Sequence, residues 1–323
     1  MRRNKIFTIL FFSIVFLMVT IFGTNIFAAQ YPEKEVKVLV GWSAGGSTDT
    51  LARMLSAELE KEFGVKFLVI DKPGAGGSIA WTEISKSKPD GYTLAMVNIP
   101  DIYTIPLTVP STTWDLQSFE PIASVITDPA LLAVNSESPF ETLSDFVNYA
   151  KEHPYELNTT NDSYKGDYWL VVRKLEELAD IKITNVYFDG SAPVNSALLG
   201  NHINSGMLNV SEVFPLVKAG KLKVLGILTE ERSALLPDVP TFKEQGFNII
   251  LSNKRGLVGP KGLPQEIRDV LIDAIKKAVA SPDFIKKAEE TKMPIDLIVG
   301  DDFSEMANRE NEMMKKDYKE NPW

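Results

Sequence analysis

Three short stretches of this chain place small residues between a strand-like run and a helix-like run: Trp42–Asp49, Pro73–Ser78 and Asp189–Pro193. Turns of this kind offer anion capture. Glycine lets a backbone approach a guest closely. A helix that starts just afterwards exposes unpaired N–H groups and a positive dipole end. The candidate donors of the first turn run from Trp42 through Ser43, Ala44, Gly45, Gly46, Ser47 and Thr48 to Asp49. Asp49 reads as a first-turn helix acid, and also as a group that orients the turn or accepts from a guest. The second turn offers Gly74, Ala75 and Gly76, and the third Asp189, Gly190, Ser191 and Ala192.

Other chemistries fit less well. Gly41-Trp-Ser43-Ala-Gly45 matches the G-x-S-x-G nucleophile elbow and lies between a strand and a helix, so a hydrolase using Ser43 is one alternative. Against it, the motif follows the first strand rather than a mid-sheet one. The only histidines are His153 and His202, far from the C-terminus, and no HGGG segment is present. Gly74-Ala-Gly-Gly77 lacks the Lys-Ser/Thr of a phosphate-binding loop and does not complete GxGxxG. The chain has no cysteine, which removes disulfides, thiolate metal sites and a cysteine nucleophile, and two isolated histidines make no metal site. No catalytic residue, metal or cofactor is expected. The net charge of −9 disfavours nucleic acid as a partner, so an anion must be held by local donors.

The elements that must position these turns alternate between strand and helix. Strands are expected at Val36–Val40, Phe67–Ile70 and Tyr92–Val97, with helices at Thr48–Phe63 and Ser78–Ser87 between them. Leu51, Met54, Leu55, Leu59 and Phe63 give the first helix one apolar face, and Gly64 ends it. After an irregular stretch at 111–119, strands are expected at Ile122–Ile126, Leu131–Val134, Ile183–Phe188 and Leu222–Leu228. Helices are expected at Leu143–Lys151, Tyr168–Leu178, Val194–Leu199 and Gln265–Ala280, with shorter ones at 282–291 and 302–319. This is an α/β pattern, long enough for two lobes.

The N-terminus reads as a signal peptide over residues 1–29: Arg2, Arg3 and Lys5, then an apolar run from Ile6 to Phe22, then small residues up to Ala28-Ala29. An uncleaved membrane anchor is the alternative. Residues 30–127 with 229–323 are expected to form one lobe and 128–228 the other.

At these turns the sequence resembles a known family. The quoted motifs are Tyr31-Pro-x-Lys34, Gly45-Gly-Ser-Thr-Asp49, Leu51-Ala-Arg53, Pro73-Gly-Ala-Gly-Gly77, Pro89-Asp-Gly-Tyr-Thr-Leu94 and Gly190-Ser-Ala-Pro193. Further along come Leu198-Leu-Gly200, Lys218-Ala-Gly-Lys221, Arg232, Leu236-Pro-Asp-Val-Pro-Thr241, Gly256-Leu257 and Gly259-Pro260. Together and in this order they resemble the solute receptors of tripartite tricarboxylate transporters, the Bug family. The resemblance implies a type II periplasmic-binding-protein fold, with two α/β lobes of mixed, mostly parallel sheet joined by crossover strands. It implies an extracytoplasmic monomer that closes on a small carboxylate and delivers it to a carrier of one large and one small integral-membrane subunit. A sensing domain without transport is the other reading. By match, Trp42–Asp49 and Pro73–Gly77 are the pincer loops of one lobe, and Asp189–Pro193 comes from the other. Asn98, Thr160, Asn161 and Asn209 complete the candidate ligand-binding set. One segment departs from the pattern. After Leu157-Asn-Thr-Thr160 the family has a small, glycine- and serine-rich loop and then a histidine; here the chain reads Asn161-Asp-Ser-Tyr-Lys-Gly-Asp-Tyr-Trp169. Asp162 and Asp167 disfavour a second carboxylate nearby unless Lys165 offsets them. Tyr164, Tyr168 and Trp169 either stack on a guest or pack the lobe.

Overall fold

The computed structural model describes residues 31–161, 164–320 and 322. The expected leader and Asp162 lie outside the described residues. Among those described, no helix is long and apolar enough to cross a membrane.

Strand β1 (Val36–Val40) lies parallel between β2 (Phe67–Asp71) and β3 (Thr93–Ile99). Its side chains alternate between two cores. Val36, Val38 and Val40 join one apolar cluster with Leu51, Leu55 and Leu59 of helix α1 (Ser47–Phe63). Leu39 points the other way, into a cluster with Trp42, Trp81, Tyr103 and Phe303. A strand covered on both faces needs a continuous apolar run, which VKVLV supplies apart from its exposed Lys37. Helix α1 stops at Gly64, which is left-handed at φ 71° and donates its N–H to the Glu60 carbonyl at 2.9 Å.

Helix α2 (Ser78–Ile84) follows β2, and α3 (Asp101–Thr108) follows β3. Strand β4 (Phe119–Asn135) is a single 17-residue strand. It then leads through helix α4 (Leu143–Glu152) into β5 (Asn158–Asn161), helix α5 (Asp167–Ala179), β6 (Thr184–Tyr187) and helix α6 (Ser191–Leu199). Strand β7 (Ser205–Asn209), helix α7 (Val210–Lys218), β8 (Leu222–Ile227) and β9 (Ser252–Pro260) follow. Helices α8 (Gln265–Val279) and α9 (Pro282–Thr291), strand β10 (Ile295–Val299) and helix α10 (Gly300–Glu320) end the described chain.

The sheet runs β2-β1-β3-β9-β4-β7-β5-β6, with β8 and β10 also paired to β4. The ladders within each half, β1 with β2 and β3, and β5 with β6 and β7, are parallel. Every antiparallel pair involves β4 or β9. These two strands therefore cross between two lobes. On β4, Leu132 and Val134 face a core with Phe146, Val172 and Leu175, while Leu131 and Ala133 face Val194, Leu198 and Val213. Each lobe thus carries helices on both faces of its sheet.

Three differences from the sequence reading have local causes. Helix α3 was not expected, because Pro100 precedes it and Pro106 lies inside it. Strand β7 and helix α7 were missed because SGMLN has little β-branched character and Pro215 interrupts the helical run. The segment 229–251, expected in the first lobe, makes its contacts with the second. Phe242 and Ile249 join the cluster of Leu225 and Leu228, and the Leu251 N–H donates to the Leu228 carbonyl at 2.7 Å. Its apolar residues complete that core before β9 carries the chain back.

Candidate ligand-binding cleft

Strand ends from both lobes meet between them. Ser43, just past β1, donates from its N–H at 2.8 Å and from its Oγ at 2.6 Å to the carbonyl of Asp189, just past β6. A Cβ on Gly46 would stand 3.3 Å from Ser191 Oγ and 4.0 Å from Ser191 N. One on Gly190, whose φ is 135°, would stand 3.2 Å from Ser43 N. The Ser47 hydroxyl donates to Glu212 of α7. The N-termini of α1 and α6 therefore face each other across the cleft. Two positive dipole ends at that separation repel, and an anion between them relieves the repulsion. Helix α6 has no acid in its own first turn.

The eight residues Trp42–Asp49 divide their labour. The Asp49 carboxylate accepts the Gly45 N–H at 2.8 Å and pairs with Arg53 Nε at 2.7 Å. The Gly46 N–H reaches the Ser43 carbonyl at 3.3 Å. Three amides expected to face a guest, those of Ser43, Gly45 and Gly46, are thus engaged by the protein. The first intrahelical bond runs from Thr50 N–H to the Gly46 carbonyl at 2.9 Å. The N–H groups of Ser47, Thr48 and Asp49 are therefore the donors at the helix start. Ala44 and Gly45 are exposed at the loop tip.

The second turn supports the first. A Cβ on Gly41 would come 2.4 Å from Gly77 Cα, and one on Gly77 would come 3.0 Å from the Trp42 ring. Trp42 is buried edge-on against Trp81 at 5.5 Å. Gly76 is buried behind this contact, Gly74 packs on Ile79, and Ala75 is exposed with φ 50°. Two buried polar atoms of the candidate set, Trp42 Nε1 and Thr160 Oγ1, have no hydrogen-bond partner among the described residues. Asn161 pairs with Tyr187 at the end of β5. Ala192 lies in the first turn of α6 and accepts from Ser196 Oγ through its carbonyl.

Beneath the loops lies a buried polar floor that the sequence reading largely missed. Arg255, on β9, is 1% exposed. Its Nε donates to Thr48 Oγ1 at 3.1 Å, its Nη1 to Asp128 at 3.2 Å, and its Nη2 to Asn209 Oδ1 at 2.8 Å and to Glu212 at 3.1 Å. Thr48 also donates to Asn98 Oδ1 at 3.2 Å. Asn209 in turn accepts from the Tyr168 hydroxyl at 2.8 Å and donates to the Asp128 carbonyl at 2.9 Å. One guanidinium thus ties both lobes to both crossing strands. Burial pushes the Asp128 carboxyl up to about 6; Arg255 opposes the rise, Glu212 adds to it, and bonds from Ser211 oppose it. Asn98 and Asn209 were expected near the guest; their side chains hold this floor. The available sequence signal was Arg255 itself, a charge at an inward position in an apolar strand.

Of the three aromatic residues in the departing segment, Tyr168 packs inside. Tyr164 is exposed, edge-on to Tyr187 at 5.1 Å, and the Lys165 ammonium lies 5.9 Å from the half-buried Trp169 ring. Ser43 is poorly placed as a nucleophile, because its hydroxyl donates to a backbone carbonyl, which takes no proton.

The fold is that of the two-lobe periplasmic binding proteins. The chain belongs to the family described as "TctC: Tripartite tricarboxylate transporter family receptor", whose model matches residues 51–316. It is 33% identical over 258 residues to the UPF0065 protein in the gbd 5'region of Cupriavidus necator, covering 80% of this chain and 78% of that one. Among solved structures it is similar to MatC from Rhodopseudomonas palustris with bound malate, at 28% identity and a TM-score of 0.78, covering 82% of this chain and 91% of that one. It is also similar to R. palustris Rpa4515 with adipate, at 26% identity and a TM-score of 0.83, covering 90% and 97%. It is thus a member of a solute-binding receptor family.

Proposed function

We propose that this protein is an exported receptor that captures a small carboxylate between its lobes and hands it to the large and small membrane subunits of a tripartite carrier. The observation that carries this reading is the meeting of two helix N-termini from different lobes, with Gly46 and Ser191 in near contact. Donors from Ser47 to Asp49 on one side and from Gly190 to Ala192 on the other receive the carboxylate. Trp42 and Thr160 supply the two unpartnered buried polar atoms at its edges, and Asn161 closes the set. The malate and adipate in the two relatives support a carboxylate guest. We place the lobe limits at 31–127 with 252–322, and 128–251, a division that the packing of Phe242 and Ile249 on Leu225 and Leu228 supports. The protein performs no chemistry on its solute.

A thermal-shift panel of mono-, di- and tricarboxylates, malate and adipate among them, tests this. A binder present at 100 times its Kd adds about 2.7 kcal/mol of stability, a rise of several degrees in melting temperature. A panel in which no carboxylate moves the transition contradicts it.

A further inference from the structure

Asp49 is both a support and a hazard for the anion site. It is the third residue of α1, in the first turn after the N-cap Gly46. A carboxylate at this position is drawn to the positive start of its own helix and to the amides there. A guest carboxylate is received by the same helix start. Left to itself, Asp49 is a resident anion that competes with the guest and repels it.

The observed carboxylate is drawn aside. One oxygen accepts the Gly45 N–H at 2.8 Å, and the other lies 2.7 Å from Arg53 Nε, one turn further along α1. Acid before base at this spacing is the favourable order on a helix. Arg53 Nη2 in turn donates to Asp71 Oδ2 at 2.9 Å. Asp71 ends β2 opposite Val40, and the Lys72 N–H beside it donates to the Val40 carbonyl at 2.7 Å. The guanidinium is thus pinned to the root of the bend that it serves. Gly45 depends on this hold. It is exposed with φ 81°, and a Cβ on it would meet nothing within 4 Å, so no packing fixes it.

We propose that Arg53 is a positioning residue for the anion site, anchored by Asp71: it turns the Asp49 carboxylate away from the helix start, balances its charge, and leaves the Ser47–Asp49 amides open to a guest. The idea rests on the reading that a carboxylate binds between the lobes.

Stability does not explain the arrangement. The Arg53 side chain is 53% exposed, and ion pairs at such sites add little to stability. Asp71 Oδ1 is buried with no hydrogen-bond partner among the described residues, which works against stability. Burial, then the Asp49 charge, pushes the Asp71 carboxyl up, and Arg53 opposes the rise. Two acids that repel are held by one guanidinium, the only cation paired with either among the described residues. Lys72, next along the chain, pairs with Glu83.

The test combines calorimetry, melting temperature and the solvent exchange rate of the Gly45 amide by NMR. The probes are malate, adipate and the best binder of the carboxylate panel. Arg53→Met is expected to bind roughly tenfold more weakly, with a nearly unchanged melting temperature and faster Gly45 exchange. Adding Asp49→Asn to Arg53→Met removes the bare charge but keeps an oxygen for Gly45, and regains most of the lost affinity. Asp71→Leu unpins Nη2 and weakens binding about threefold, while the melting temperature holds or rises. Wild-type affinity in Arg53→Met, or no recovery in the double variant, overturns the proposal. Tighter binding by Asp71→Leu removes Asp71 from it. If no carboxylate of the panel binds the wild-type protein, the solute reading fails alone. Gly45 exchange unaltered in Arg53→Met would then overturn the positioning role as well.

Discussion

Arg255→Met lowers the unfolding free energy by about 3–5 kcal/mol, read from urea unfolding at neutral pH. The guanidinium is the only cation that bonds to Asp128 and Glu212 among the described residues, and all three side chains are almost wholly buried. Removing it leaves two carboxylates without their counter-charge, and it strips donors from Thr48 and Asn209. A loss of that size is a large share of the total stability of about 5–15 kcal/mol usual for folded proteins. Arg255→Lys keeps the charge but loses the planar fork that reaches four partners at once, so it recovers only part of the loss. The triple variant Arg255→Met, Asp128→Asn, Glu212→Gln should be more stable than Arg255→Met alone, because the damage comes from stranded charge. A loss below about 1 kcal/mol for Arg255→Met would show that water reaches the floor and screens it.

Gly46→Asp weakens binding of the best carboxylate by roughly 100-fold, about 3 kcal/mol, while leaving the fold intact. The backbone at Gly46 has φ −75° and ψ 171°, a conformation open to any residue, and a Cβ there asks the Ser43 carbonyl and Ser191 Oγ, each at 3.3 Å, to give by only a few tenths of an ångström. The position is an N-cap, where aspartate is preferred, and the melting temperature should hold or rise slightly. The new side chain enters the space beside Ser191 Oγ and places its own negative charge where two helix starts converge. It competes with the guest for the same donors and repels what remains. Affinity measured by calorimetry within about threefold of wild type would put the guest elsewhere.

The turns were legible because their residue types are dictated locally. Gly41 and Gly77 must be small because their backbones touch, and a helix starts wherever Leu51, Leu55 and Leu59 recur on one face. The floor was not legible for the opposite reason. Asp128, Asn209, Glu212 and Arg255 are scattered over 128 positions of sequence, and nothing in their spacing pairs them. Only the crossing of β4 and β9 brings them together. The continuity of β4 was hidden by Pro129, which the sequence alone makes look like a strand break. Asp167 was noted as an acid unsuited to a second carboxylate, but Asp101, whose Oδ1 accepts the Asp167 N–H at 3.0 Å, lies in a helix the sequence concealed.

A crystal structure with the carboxylate that most raises the melting temperature tests the central claim most directly. The account predicts guest oxygens within about 3.2 Å of N–H groups from both the start of α1 and the Gly190–Ala192 bend. A guest bound by one lobe only, or lodged in a groove that Met314 and Asp167 line, would contradict it.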